Sequence, residues 1–226
     1  MPDSTEAAPG AREIIYVGDP MCSWCWGFAP VLRQIEAEYA SVTPLRVVVG
    51  GLHAFDSEPM NAEYKATIRH HWEQVAAATG QPFNYAFFER DGFVLDTEPA
   101  CRATVTLRSI KPDSLLSFYE SIHKGYYVEN TDTTKLDTFA IYAEREGINA
   151  GAFARAFESE AMKQETLADF QWCQQAGVTG FPTVVLREED SMAALTIGYQ
   201  PFDKLKPALD AWTKGELRLQ TAPPSA

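Results

Sequence analysis

Residues 14–25 read Ile14-Ile15-Tyr16-Val17-Gly18-Asp19-Pro20-Met21-Cys22-Ser23-Trp24-Cys25. The first four are β-branched or aromatic and Gly18-Asp19-Pro20 closes them, which predicts a buried strand ending in a turn. A helical pattern follows, in which Cys25, Phe28, Leu32, Ile35 and Tyr39 recur at three- and four-residue steps and share one face. Pro30 stands inside that pattern and predicts a kink, because it has no N–H for the preceding turn. Leu45-Arg46-Val47-Val48-Val49 is a second strand, and its unbroken valines suit cover on both faces, as in a parallel sheet. Residues 14–50 thus predict a strand–helix–strand unit of the usual right hand.

Helical periodicity then dominates, with candidate helices at Pro59–Thr79, Glu98–Ile110, Pro112–Lys124, Thr134–Glu146 and Ala150–Gln175. Gly80-Gln81-Pro82, Lys111-Pro112 and Gly147 punctuate them as short connections. The character changes at Val178. Thr183 to Leu186 and Ala193 to Ile197 read as two strands about the polar turn Arg187–Ser191, a hairpin. A last amphipathic helix carries Phe202, Leu205, Leu209 and Trp212 on one side. The two outer parts are expected to share one sheet, as a discontinuous domain of residues 13–52 and 178–215. Residues 53–177 form a helical insertion between them, and 1–12 and 216–226 read as flexible tails.

Composition narrows the function. The 226 residues are 46% hydrophobic and 22% charged, the balance of a globular chain that can bury its own core. A net charge of −12, from 19 basic and 31 acidic residues, repels phosphate backbones, so no nucleic-acid partner is expected. No apolar stretch approaches the roughly 20 residues that span a bilayer, so no membrane partner is expected either. Met1 to Gly10 has neither the basic start nor the apolar segment of a secretory signal. The expectation is a cytoplasmic protein, whose four cysteines are reduced and serve catalysis, metal binding or packing.

Cys22-Ser23-Trp24-Cys25 falls where the first strand's turn enters the helix. Unpaired N–H groups and the helix dipole stabilise a thiolate there, and thiols so placed have pKa values lowered to roughly 3.5–7.5. Cys25, less than one turn on, is close enough to attack a mixed disulfide on Cys22. A zinc site needs about four ligands and only one such pair is present; His70 and His71 are adjacent and cannot make an i,i+4 pair. Gly180-Phe181-Pro182-Thr183 precedes the third strand, a place where proline is allowed and an X-Pro bond can be cis. Asp19 has two readings of equal standing, a pKa tuner for the thiols or a turn former. Cys101 and Cys173 lie in helical patterns and read as packing. Trp24, Trp26, Phe28 and Phe181 form an aromatic set around the thiols, of which Trp24 and Phe181 are candidates for an apolar substrate platform.

Taken together, C-S-W-C at a helix start, Pro30, the helical insertion and G-F-P-T before a strand–strand–helix ending resemble the thioredoxin superfamily. Within it the chain is similar to the DsbA family, in its cytoplasmic FrnE-like branch of proteins described as protein-disulfide isomerases. Asp19 to Phe28, Thr97-Glu98-Pro99-Ala100-Cys101-Arg102 and Gly177 to Thr183 carry that likeness. The resemblance implies an α/β, thioredoxin-like fold with a large all-helical insertion. It implies that Cys22 is the exposed nucleophile, Cys25 the buried resolving thiol and Pro182 a cis-proline facing them. Phe181 would pair its backbone with an extended substrate, with Trp24 and Thr183 beside it. DsbA carries a histidine between its cysteines; Ser23 and Trp24 supply no such cation, so a less oxidising pair is expected.

The expected activity is thiol-disulfide exchange on protein or peptide disulfides, with a cellular thiol such as glutathione or thioredoxin recycling the pair. No metal or resident cofactor is expected, and glutathione enters only as a co-substrate. The alternative is a glutathione-dependent enzyme on the same scaffold, like 2-hydroxychromene-2-carboxylate isomerases or kappa-class glutathione transferases. Those commonly place serine where Cys22 stands. A third, non-enzymatic reading is a protein whose acidic, aromatic cleft holds unfolded clients.

Overall fold

The computed structural model describes residues 12–219. Strands β1 (Arg12–Gly18), β2 (Leu45–Val49), β3 (Thr183–Glu188) and β4 (Ser191–Ile197) form one sheet in the order β2-β1-β3-β4. β1 and β2 are parallel; β3 pairs antiparallel with β1 and with β4. Helix α1 (Ser23–Tyr39) joins β1 to β2, and α8 (Phe202–Thr213) follows β4. Between the halves come α2 (Ala62–Thr79), α3 (Glu98–Ile110), α4 (Leu115–Tyr127), α5 (Leu136–Arg145), α6 (Ala150–Phe157) and α7 (Glu160–Gln175). This is the expected α/β, thioredoxin-like fold with a helical insertion.

β1 is sealed because Ile14 to Val17 are apolar on both faces and all at most 1% exposed. One face joins Phe28, Leu32 and Ile35 of α1 and runs on into the insertion through Trp72, Phe87, Tyr126 and Phe153. The other face, Ile15, Val17 and Val48, meets Cys173 and Trp172 of α7. α3 and α7 also cover the β2 edge. Arg108 donates to the Val47 carbonyl at 2.8 Å, Asp169 accepts from the Val49 N–H at 3.0 Å, and Arg108 and Asp169 pair at 2.7 Å. A sheet edge left open is a hazard; this one is closed by side chains.

Several boundaries differ from expectation. The helix expected over Ala150–Gln175 is two, because Ser159 caps a new start by accepting from the Met162 N–H. Pro59 pairs with Val94 as an isolated bridge and α2 begins only after Asn61, whose side chain accepts from the Tyr64 N–H. Pro112–Ser114 is a separate 3₁₀ turn, and a second at Tyr85–Glu89 follows the cap Asn84. α1 runs on through Pro30 to Tyr39. The hairpin turn shrinks to Glu189-Asp190, since β3 and β4 extend to Glu188 and Ser191.

The tails expected at 1–12 and 216–226 lie outside the described residues, except at Arg12 and residues 216–219, and there the structure corrects them. Arg12 belongs to β1 and pairs with Glu188 at 2.8 Å. Arg218 pairs with the same carboxylate, which also accepts from the Leu219 N–H at 3.2 Å. Glu188 is buried and surrounded by these donors. Burial alone would raise its pKa, but Arg12, the Leu219 N–H and Arg218 bring it down to about 2.

Candidate active site

Cys22 is the N-cap of α1, with extended backbone (φ −89, ψ 120), and its carbonyl accepts the first helical bond, from the Trp26 N–H at 3.0 Å. Its thiol caps no N–H; it faces the Phe181 carbonyl at 3.8 Å. The Phe181–Pro182 peptide is cis. The G-F-P-T turn and the C-S-W-C turn, 159 residues apart in sequence, thus meet at the end of the sheet.

All four cysteines are free thiols. The expected exposure of Cys22 is corrected to 6%, against 0% for Cys25; both are buried, and Phe181 covers the first. Cys25 Sγ accepts from the Asp19 N–H at 3.5 Å. Burial, with the neighbouring Cys22 thiol, pushes the Cys25 pKa well up, while the Asp19 N–H and the Tyr16 hydroxyl oppose the rise.

Asp19 is wholly buried. Its carboxyl oxygens accept from the Met21 N–H at 2.8 Å and the Leu52 N–H at 2.7 Å, and the Cys101 thiol lies 3.4 Å away. Burial raises its pKa, and the bonds from Met21, Leu52, Thr97 and Cys101 hold it down. The carboxyl fastens the thiol turn to the loop after β2, and only its backbone N–H reaches Cys25. Cys101, read as packing, is buried and serves that fastening; Cys173 is buried with its thiol 3.7 Å from the Val49 carbonyl.

Trp24 is half-buried and lies against Tyr199, 6.1 Å between ring centroids. The Phe181 ring turns away from the thiols onto Gly50, where a Cβ would come within 2.0 Å of it, and joins the Ile15–Val48 cluster. Its carbonyl, not its ring, meets Cys22. Thr183 is buried and its hydroxyl donates to the Gly180 carbonyl at 2.8 Å, shaping the turn. Trp26 and Phe28 are core residues, and His70 and His71 are on the surface.

Sequence reasoning missed Leu52 and Thr97 as partners of Asp19, and Tyr16, Tyr119 and His123 behind Cys25. Thr97 and Cys101 belong to the quoted T-E-P-A-C-R stretch, the one signal that could have found them. A recess of about 500 Å³, lined by Arg90, Phe93, Asp132 and Lys135 among others, contains none of the thiol residues. Among the described residues no cluster of His, Cys, Asp or Glu could hold a metal ion, and no helix is long and apolar enough to cross a membrane.

Comparisons with known proteins match the fold. The family described as DSBA-like thioredoxin domain matches residues 13–210. A candidate protein disulfide isomerase from Nitrosomonas europaea is 38% identical, with a TM-score of 0.85 over 91% of this chain and 98% of that one. Cytosolic disulfide reductase DsbM from Pseudomonas aeruginosa shares the fold at 23% identity and a TM-score of 0.73, over 89% of this chain and 98% of that one. The ClpXP adapter protein SpxH of Halalkalibacterium halodurans is 23% identical over 84% of this chain, which spans 64% of that relative's length. Because the family match runs through both halves of the sheet and the whole helical insertion, the chain belongs to the DSBA-like thioredoxin domain family.

Proposed function

We propose that the protein is a thiol-disulfide oxidoreductase acting on protein or peptide disulfides in the cytoplasm through Cys22 and Cys25. The observation that carries this reading is the Cys22 thiol, held at the head of α1 against the Phe181 carbonyl, with a second reduced thiol behind it. Cys22 attacks one sulfur of the substrate disulfide; that S–S bond breaks and a mixed disulfide forms. The other substrate sulfur leaves at that step; Cys25 then attacks Cys22 Sγ, the sulfur that Cys22 had attacked leaves in turn, and two electrons have passed to the substrate. A cellular thiol, glutathione or thioredoxin, reduces the pair again.

Substrate recognition falls to main chain. An extended peptide adds beside the Phe181 backbone, which gives affinity without demanding a particular sequence. Trp24 with Tyr199 offers the apolar contact, Pro182 and Thr183 hold the turn, and Asp19 acts on Cys25 through its N–H. The likeness to a cytosolic reductase, one solved with glutathione, supports the compartment and the recycling thiol. Cysteine rather than serine at position 22, with its partner intact, disfavours the glutathione-dependent isomerase or transferase.

The test is trapping. Cys25→Ala protein is expressed and species disulfide-bonded to Cys22 are identified. Attached proteins support the reading, and glutathione alone points to the alternative. A Cys22 that traps nothing sinks both and favours client holding, the kind of role an adapter has.

A further inference from the structure

Behind Cys25 lies a set of polar groups that the proposed exchange leaves unused. Tyr16 from β1 and Tyr119 and His123 from α4 are buried, and neither hydroxyl nor either imidazole nitrogen closes a hydrogen bond among the described residues. Buried polar atoms left open are uncommon and costly. The Tyr16 ring is firmly placed, stacked on Phe28 at 5.9 Å and edge-on to Tyr119 at 6.0 Å. Its hydroxyl lies over Gly18, where a Cβ would come within 2.4 Å of it. That puts it beneath the turn whose Asp19 N–H meets Cys25 Sγ, facing the Cys25 thiol, with the Tyr119 hydroxyl behind it. Tyr119 packs edge-on against His123, 4.5 Å between centroids.

On the oxidoreductase reading, we infer that Tyr16 is a catalytic residue of the resolving step: its hydroxyl donates to the Cys25 thiolate as that forms, and Tyr119 positions it by donating to Tyr16. To close the enzyme's disulfide, Cys25 loses its proton and its sulfur lone pair forms the bond to Cys22 Sγ. The bond from Cys22 to the substrate sulfur breaks with its electron pair on the departing sulfur, which takes up the proton that Cys25 gave up. Tyr16 keeps its own proton throughout. The titratable groups around Cys25 are Cys22, Tyr16, Tyr119, Tyr127 and His123, while the Asp19 carboxyl is engaged by Met21, Leu52 and Cys101. No carboxylate is free to assist, so the hydroxyl pair carries the task. Its bonds, open beside a neutral thiol, close on the charged one, as catalytic hydrogen bonds commonly tighten along a reaction.

The test uses the full chain and glutathione disulfide. Reduced protein is mixed with the probe and quenched in acid, and mass spectrometry follows the mixed disulfide and the internal disulfide separately. Losing a hydrogen bond to a charged group predicts that Tyr16→Phe resolves about 10- to 100-fold more slowly. Its pH–rate profile for that step moves to higher pH, while Cys22 alkylation keeps its rate. Tyr119→Phe, one bond further from sulfur, shows the same displacement at smaller size. A Tyr16→Phe protein that resolves with wild-type rate and profile overturns the inference, as does one in which alkylation and resolution slow together. A wild-type protein that forms neither a mixed nor an internal disulfide with the probe overturns the oxidoreductase reading itself, and the inference with it.

Discussion

At the scale of single residues, Cys22 and Cys25 differ in what surrounds them. Cys22 is at the helix N-cap with 6% of its surface open; Cys25 is sealed. Iodoacetamide at neutral pH is therefore expected to modify Cys22 first, and equal or reversed labelling by peptide mapping would refute the assignment. His123 gives a second expectation. It is enclosed by Trp26, Tyr119 and Tyr127, and burial lowers its pKa to about 3. An unfolded histidine titrates near 6.5, so between about 3 and 6.5 the unfolded chain holds a proton that the folded one refuses. Stability from this group is complete above that window and is lost as pH falls through it, on the order of a few kcal/mol. Urea denaturation at pH 7.5 and 4.5 should find a large acid loss in wild type and a smaller one in His123→Phe. The thiol motif was legible because its residues are neighbours in sequence. Tyr16 was not, since inside a strand pattern an aromatic reads only as core, and Tyr119 and His123 carry no spacing that ties them to Cys25.

At the scale of elements, the β2 edge depends on two helices. Asp169 of α7 accepts from both Val49 and Arg108, and removing it leaves a guanidinium and an edge N–H without their acceptor. Breaking a buried ion pair costs about 3–5 kcal/mol; Arg108 remains 24% exposed, so about 2–3 kcal/mol is expected for Asp169→Ala. Asp169→Asn, which can still accept from Val49, should lose less, and denaturant midpoints at constant slope check both. β2 itself was read to the residue, because Pro44 and Gly50 bracket its apolar run. The end of α2 at Thr79 was equally plain, with Gly80 in the left-handed region at φ 75. The break before α7 was hidden: Glu158-Ser159 interrupts an apolar repeat without glycine or proline, and only the cap bond marks it.

At the scale of the whole molecule, the disulfide poise sums what the fold places around the pair. Ser23 and Trp24, the two residues between the cysteines, bring no cation to the thiol turn. The Asp19 carboxyl, turned to Leu52 and Met21, adds little to the poise. Without that cation the pair is expected to be less oxidising than DsbA, with a potential below its value of about −120 mV. Equilibration in glutathione buffers measures it, and a value at or above that of DsbA would remove Ser23-Trp24 as the cause. The overall plan was legible because a strand–helix–strand start and a strand–strand–helix end can share a sheet in few ways. The path of the insertion was not, since helix periodicity says which face is buried and not against what.

That plan has a consequence for biosynthesis. The thiol turn leaves the ribosome before its cover, since the Phe181 carbonyl that meets it is 159 residues downstream. At about 5–20 residues per second, roughly 8–30 s pass before the covering turn is even made. β1 meanwhile lacks β3, its antiparallel neighbour on one side. For that interval the nascent chain carries Cys22 and Cys25 on an unfinished sheet, dependent on the reducing power of its surroundings to arrive at completion unpaired.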